Sequence, residues 1–155
     1  LYGRIEAQLQ ATLAPVQGPA RSFDEVITYL DRVFGHLWQF RFFYRDLNTL
    51  LQQVPGLRDR YRDLFEVTQS NARRIFASMV EAGWLQATPA ELDMLATNAW
   101  ILMSHWFMHC QAASRRRTIQ SSDVNDGIRH LVALFSPRLK PAQMRQLRRF
   151  LTRPH

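Results

Sequence analysis

The sequence predicts an all-α fold, arranged as a multi-helix bundle in one domain that spans residues 1–155. Apolar residues recur at intervals of three and four along almost the whole chain, and no segment alternates with the period of two that a β-strand requires. The 155 residues, of which 46% are hydrophobic, are enough to form one core. Cys110 is the single cysteine, so an internal disulfide framework is excluded.

The first predicted helix begins after Ser22 and runs to about Trp38, because its apolar residues keep the three-and-four spacing for four turns. Ser22 and Glu25 have the spacing of a capping box, in which each side chain bonds the backbone amide of the other residue. A second helix is predicted from about Phe42 to the Val-Pro-Gly sequence at 54–56, where the proline stops it.

The remaining helices are bounded by similar signals. A third helix is predicted from about Leu57 to Ala82, with Gly83 as a left-handed cap. Thr88, followed by Pro89 and with Glu91 at the spacing of a second capping box, begins a fourth helix that reaches about Ala113. Two more helices are predicted at 121–135 and 141–151, separated from the fourth by a loop and from each other by a proline-containing turn.

The helix predicted from Pro89 to Ala113 is apolar on two opposite sides. One stripe suits its own domain, and the second has the spacing at which one helix packs along another. We therefore predict that this helix and the one at 123–135 form a pair that dimerises with an identical pair in a four-helix bundle. A monomer with a central buried helix is the alternative. The predicted interface residues are Met94, Asn98, Ile101, His105, Met108, Leu131 and Leu134.

No pattern in the sequence indicates catalysis. His105 and His109 are one helical turn apart, but no third ligand has matching spacing, so a polar patch at an interface or pocket is favoured over a metal site. Cys110 lies on an apolar helix face, where a thiol is poorly reactive. Phosphate-binding glycine loops and nucleophile motifs are missing from the sequence. We expect no enzyme activity, no cofactor and no metal.

Composition limits the location and the partners of the chain. The most apolar stretch, residues 99–110, is interrupted by polar residues and is shorter than the ~20 residues that span a bilayer. The first residues lack the layout of a signal peptide. We therefore expect a cytoplasmic protein without a membrane partner. The formal net charge of +7 comes mostly from arginines that are not clustered on one side, so it does not identify a partner.

The aromatic stretch from Trp38 to Tyr44 has two interpretations. Five aromatic side chains in seven residues are more than one helical stripe can bury against its neighbours. Together with other large side chains, they could line an apolar cavity between helices. A bulky core without a cavity explains them equally well.

Several segments resemble the ligand-binding and dimerisation region of TetR-type bacterial transcriptional repressors. They read YRDLNTLL at 44–51, VPGLR at 54–58 and AGWL at 82–85, followed by the helix that carries NAW at 98–100 and SHW at 104–106. The resemblance covers nearly the whole chain. Its motifs are helix-packing patterns rather than a catalytic signature.

The resemblance implies a homodimer whose cavity binds a small effector, an apolar, aromatic or acyl molecule, and so alters DNA binding. Residues 1–14 resemble the end of the helix that connects this region to an N-terminal helix-turn-helix domain. That domain is absent from the sequence, so DNA binding belongs to an implied parent protein. The alternative is a helical interaction or scaffold module without a pocket. The implied pocket residues are Trp38, Phe42, Phe43, Phe76, Met79, Trp100 and Met103.

Overall fold

The computed structural model describes residues 3, 4, 7, 11, 22–114 and 118–152, and it confirms the all-α prediction. A 3-10 turn, Ser136–Arg138, joins the last two helices of this part of the chain. The helices are α1 (Phe23–Gln39), α2 (Arg41–Arg45), α3 (Leu47–Gln53), α4 (Leu57–Glu81), α5 (Pro89–Ala113), α6 (Ser121–Phe135) and α7 (Pro141–Leu151).

Helix α5 has the central position among the helix contacts. It packs against α4 on one side, α6 on another and the short α2 on a third, while α1 packs against α6 and α7. The buried side chains of all these helices join into one hydrophobic core. Within the described residues, the strand-like pairing is a single isolated bridge between Leu85 and Leu139. No described helix has both the length and the apolar character needed to cross a membrane.

The two predicted capping boxes have different outcomes. At the start of α5, the Thr88 hydroxyl accepts from the Glu91 backbone amide at 3.4 Å, and the Thr88 amide donates to the Glu91 carboxylate at 2.7 Å. This reciprocal pair confirms the prediction for Thr88. At the start of α1, Ser22 precedes the helix but makes no side-chain capping bond, so the prediction for Ser22 and Glu25 is wrong. In its place, the Glu25 amide donates to the Ser22 carbonyl oxygen at 3.2 Å.

The second predicted helix is two helices in the structure, α2 and α3, separated at Asp46. Aspartate is a weak residue in a helix interior because its side chain competes for local hydrogen bonds. Here its carboxylate is held by the neighbouring Arg45, at 2.8 Å from the guanidinium Nε. The short helix α2 thereby turns Phe43 and Tyr44 into the core.

Gly83 ends the turn after α4 as predicted, with a left-handed φ of 72°. The backbone amides of Trp84 and Leu85 both return to the Met79 carbonyl oxygen, at 2.9 and 3.1 Å. This geometry directs the Trp84 ring toward α1, where its centroid lies 5.8 Å from that of Phe23 in an edge-on contact.

The predicted connecting helix at 1–14 lies largely outside the described residues. The four described positions within it, 3, 4, 7 and 11, are helical.

Candidate functional site

A largely apolar cavity of about 50 Å³ lies among four helices, α1, α4, α5 and α6. Each helix contributes side chains at the three-and-four spacing of one face, so the cavity is where four apolar stripes meet. The small side chains of Ala72 and Ala99 leave space between larger neighbours. The lining is Val26, Tyr29, Leu30, Val33, Thr68, Ala72, Ile75, Phe76, Met79, Ala99, Met103, Leu131 and Phe135.

The polar groups of this cavity are uncharged at neutral pH. Burial raises the pKa of Tyr29 to about 12, so the phenol stays protonated. The Thr68 hydroxyl donates to the Leu64 carbonyl oxygen at 2.8 Å, within its own helix. Phe76 and Phe135 form one part of the wall, with ring centroids 5.6 Å apart. The cavity is therefore suited to an uncharged, largely apolar molecule.

A second void, of about 10 Å³, adjoins the cavity. Val33, Thr68 and Met103 line both spaces, so these three side chains are the partition between them. The remaining lining of the second void is His36, Leu37, Tyr44, Trp100 and Ser104.

His36 is buried beside this second void. Its Nε2 atom lies 3.3 Å from the Tyr44 hydroxyl, and burial lowers the pKa of the imidazole to about 4. The ring is consequently neutral at physiological pH. Sequence reasoning missed His36, although its spacing from Val33 and Phe40 places it on the inner side of α1.

The predicted pocket residues do not all meet. Phe76, Met79 and Met103 line the cavity, and Trp100 lines the second void. Phe43 is buried in the core beside Tyr44, with ring centroids 5.4 Å apart. It borders neither of the two voids.

Trp38 and Phe42 differ most from the prediction, because Trp38 is half-buried at the edge of a groove and Phe42 is largely exposed. Trp38 lines an open groove of about 350 Å³ between α1 and α6. Phe42 is 55% exposed, and the guanidinium carbons of Arg41 and Arg45 lie 4.5 and 5.3 Å from its ring centroid. The start of a new helix at Arg41 turns Phe42 outward. The placement of Phe42 in the cavity is therefore wrong.

The second apolar stripe of α5 is exposed in the single chain. Met94, Ile101 and Met108 are 63%, 53% and 37% exposed, and Asn98 and His105 lie exposed between them. The described chain therefore leaves an apolar helix face open to solvent, although Asn48 contacts the Met108 sulfur at 3.6 Å.

The two leucines predicted for this interface lie on different sides of α6. Leu134 is half-buried and keeps surface for a partner. Leu131 is 3% exposed and lines the cavity. It has almost no surface left for a partner, because α6 turns it toward α1 and α4 rather than outward.

The crossing of α5 and α6 is close. The Trp106 indole N–H donates to the Asp123 carbonyl oxygen at 2.5 Å, and its ring lies over Gly127. A β-carbon at Gly127 would lie 2.8 Å from the indole nitrogen, so this contact requires glycine. The rings of His109 and His130 are tilted against the same indole, with centroids 5.3 and 4.9 Å from that of Trp106. The described residues contain no group of three or more metal-ligating side chains.

The fold is an all-α bundle with an apolar cavity and an uncovered apolar helix face, and comparison with known proteins specifies its family. The model of the TetR family, described as bacterial transcriptional repressors, matches residues 4–147. The chain therefore belongs to the TetR family of transcriptional regulators.

A solved structure agrees with this assignment. The crystal structure of a TetR-family transcriptional regulator from Marinobacter aquaeolei VT8 superimposes with a TM-score of 0.80 at 27% identity. The match covers 99% of this chain and 74% of that one. Among curated proteins, no relative matches.

Proposed function

We propose that this chain is the effector-binding and homodimerisation domain of a TetR-like transcriptional regulator. The single observation that carries the proposal is that α5 borders the cavity on one side and has an exposed apolar stripe on the other. Ala99 and Met103 face the cavity, whereas Ile101 and Met108 face solvent. One helix thus connects the space for an effector with the surface for a second subunit.

The proposed effector is a small apolar molecule, aromatic or acyl in character. The cavity of about 50 Å³ is smaller than the roughly 300–1,000 Å³ of typical ligand pockets, so binding must enlarge it. Met79 and Met103 make this feasible, because unbranched thioether side chains adopt many rotamers at little cost. Enlargement displaces α5 relative to α4.

A displaced α5 changes the relative orientation of the two subunits. The effector then favours one dimer geometry over another, and this works only if its affinity differs between them. In this proposal the change of subunit orientation alters DNA binding by the regulator, and none of the described residues is assigned a DNA contact. This role requires no enzyme activity, no cofactor and no membrane, and we propose a cytoplasmic location because the regulated DNA lies there.

The experiment is a thermal-unfolding screen with aromatic and acyl compounds, combined with sedimentation of the protein at micromolar concentration. A compound present at 100 times its Kd stabilises the protein by about 2.7 kcal/mol. Ala72→Leu fills the cavity and should abolish the response, while Ala113→Leu, at an exposed position, should retain it. If no compound of the screen raises the unfolding temperature, the scaffold alternative is favoured. If sedimentation shows only an 18.2 kDa species, dimerisation is contradicted.

A further inference from the structure

One buried nitrogen of His36 has no hydrogen-bond partner among the described residues. The side chain is 5% exposed, its Nε2 lies near the Tyr44 hydroxyl, and its Nδ1 contacts no donor or acceptor in this part of the chain. Buried polar atoms are almost always paired, since an unpaired one has lost its hydration without compensation. His36 therefore has an unused hydrogen-bonding position inside the domain.

The residue that carries this atom borders the space proposed for the effector. His36 lines the second void, which shares three walls with the cavity. Met103 is one of those walls, and a change in its rotamer can join the two spaces. A ligand in the cavity can thus extend a polar group to the imidazole.

Two other polar side chains of the second void already make hydrogen bonds. The Thr68 hydroxyl donates to the Leu64 carbonyl oxygen, and the Ser104 hydroxyl donates to the Trp100 carbonyl oxygen, both at 2.8 Å. Neither void is lined by lysine or arginine. An ionised ligand group would therefore be buried without a counter-charge, which is strongly unfavourable.

We propose that His36 anchors an uncharged effector, with Nδ1 bonded to one carbonyl or hydroxyl group of an otherwise apolar molecule whose body fills the cavity. The inference rests on the proposed function, because it specifies the ligand of the same cavity. The low pKa of His36 agrees with it, since a neutral imidazole has one N–H and one acceptor nitrogen. Nδ1 then donates to a carbonyl or accepts from a hydroxyl, depending on the tautomer.

The test uses four probes with one bicyclic skeleton: indane, 1-indanone, 1-indanol and indane-1-carboxylate. Their Kd values are measured by calorimetry at pH 7 for the unmodified chain, His36→Phe and Met103→Leu. We expect His36→Phe to weaken binding of 1-indanone or 1-indanol about tenfold relative to indane, the usual effect of one hydrogen bond. Met103→Leu should change the Kd values of all neutral probes by a similar factor. The carboxylate should not bind to any of the three proteins.

The outcomes separate the two proposals. If indane binds, and the ratio of its Kd to those of the polar probes is the same in the unmodified chain and in His36→Phe, His36 does not anchor the ligand although the cavity binds it. A water molecule bound to Nδ1 would give this result. Tight binding of indane-1-carboxylate overturns the proposal that the effector is uncharged. If no neutral probe binds, the anchor is overturned, and the wider compound screen decides the proposed function.

A second measurement applies if His36→Phe does not fold. Imidazole ¹⁵N resonances of the unmodified chain report the hydrogen bonding of each ring nitrogen. Adding 1-indanone or 1-indanol should shift the His36 Nδ1 resonance, and adding indane should not. Equal shifts with all three probes would contradict the anchor.

Discussion

Helices α1 and α5 both line the cavity, but they differ in what lies on their outer faces. The outer face of α1 is polar or small, whereas that of α5 carries exposed methionine and isoleucine side chains. Both helices also bury a row of side chains on their inner faces. The exposed outer positions of α1 are Asp24, Thr28, Asp31, Arg32, Gly35 and Gln39, and the apolar ones of α5 are Met94, Ile101 and Met108.

The difference shows which helix is covered by its own chain. Transferring a whole methionine or isoleucine side chain from water to an apolar environment contributes about 1.5–3 kcal/mol. Helix α1 has obtained this contribution from its own chain. In α5, Met94 and Ile101 remain more than half exposed, and Met108 remains 37% exposed. A second subunit on α5 would supply the missing burial, and no comparable gain is available on α1.

The largest expected effect is on assembly. Ile101→Asp should raise the Kd of the dimer about a thousandfold, equal to about 4 kcal/mol, because two unpaired carboxylates would be buried at the two-fold interface. Analytical ultracentrifugation measures the change. Thr28→Asp, on the outer face of α1, is the control and should leave the Kd unaltered. Equal effects of the two substitutions would remove the distinction between the helices.

The second prediction concerns the buried histidine of α1. Its pKa is about 4 in the folded chain, below the usual 6.5, so the unfolded chain binds the proton first. The contribution of His36 to stability is complete above pH 6.5 and is lost as the pH falls to about 4. Urea unfolding gives the free energy of unfolding at pH 7 and at pH 4. Between these two pH values, the unmodified chain should lose roughly 3 kcal/mol more of it than His36→Phe does. Parallel pH profiles of the two proteins would argue against a neutral, buried ring.

The third prediction compares two helical glycines. Gly127→Ala should destabilise the protein by about 2 kcal/mol, because its β-carbon displaces Trp106 from the α5–α6 crossing. Gly35→Ala in α1 has open space around the new β-carbon and should stabilise by about 0.5–1 kcal/mol. Thermal and urea unfolding measure both. Effects of the same sign would mean that the crossing is looser than described.

The smallest effects are expected at the helix starts. Thr88→Ala removes the capping box of α5 and should cost about 1 kcal/mol. Ser22→Ala, where α1 has no side-chain cap, should cost at most a few tenths. If the two variants have the same free energy of unfolding, the capping bonds of Thr88 do not contribute to stability.

The helices themselves could be predicted well from local signals. The start of α5 at Pro89, the end of α4 before Gly83 and the end of α6 at Phe135 all agree with the sequence. Each depends on residues within one or two turns, where proline, glycine and capping chemistry act directly. The break at Asp46 was missed because the hydrophobic period continues across it.

The cavity was harder to predict, since periodicity alone does not fix which element a side chain meets. Phe76, Met79 and Met103 line the cavity, on the inner stripes of their helices, and their contact with a ligand stays a prediction. Phe42 was misplaced because a single new helix start at Arg41 rotates it outward. Leu131 was assigned to the interface because the sequence of α6 does not show which of its faces is covered by helices of the same chain.

The order and type of the helices, and the two-sided apolar character of α5, are properties of the sequence because neighbouring residues produce them. The tertiary structure alone decides three other features: the burial of His36, the thin partition at Met103 and the exposure of Phe42. They depend on the angles at which distant helices cross and on the side chains that happen to meet there. The amino-acid sequence determines which residues share a face of each helix, but the packing of the helices determines what each face contacts.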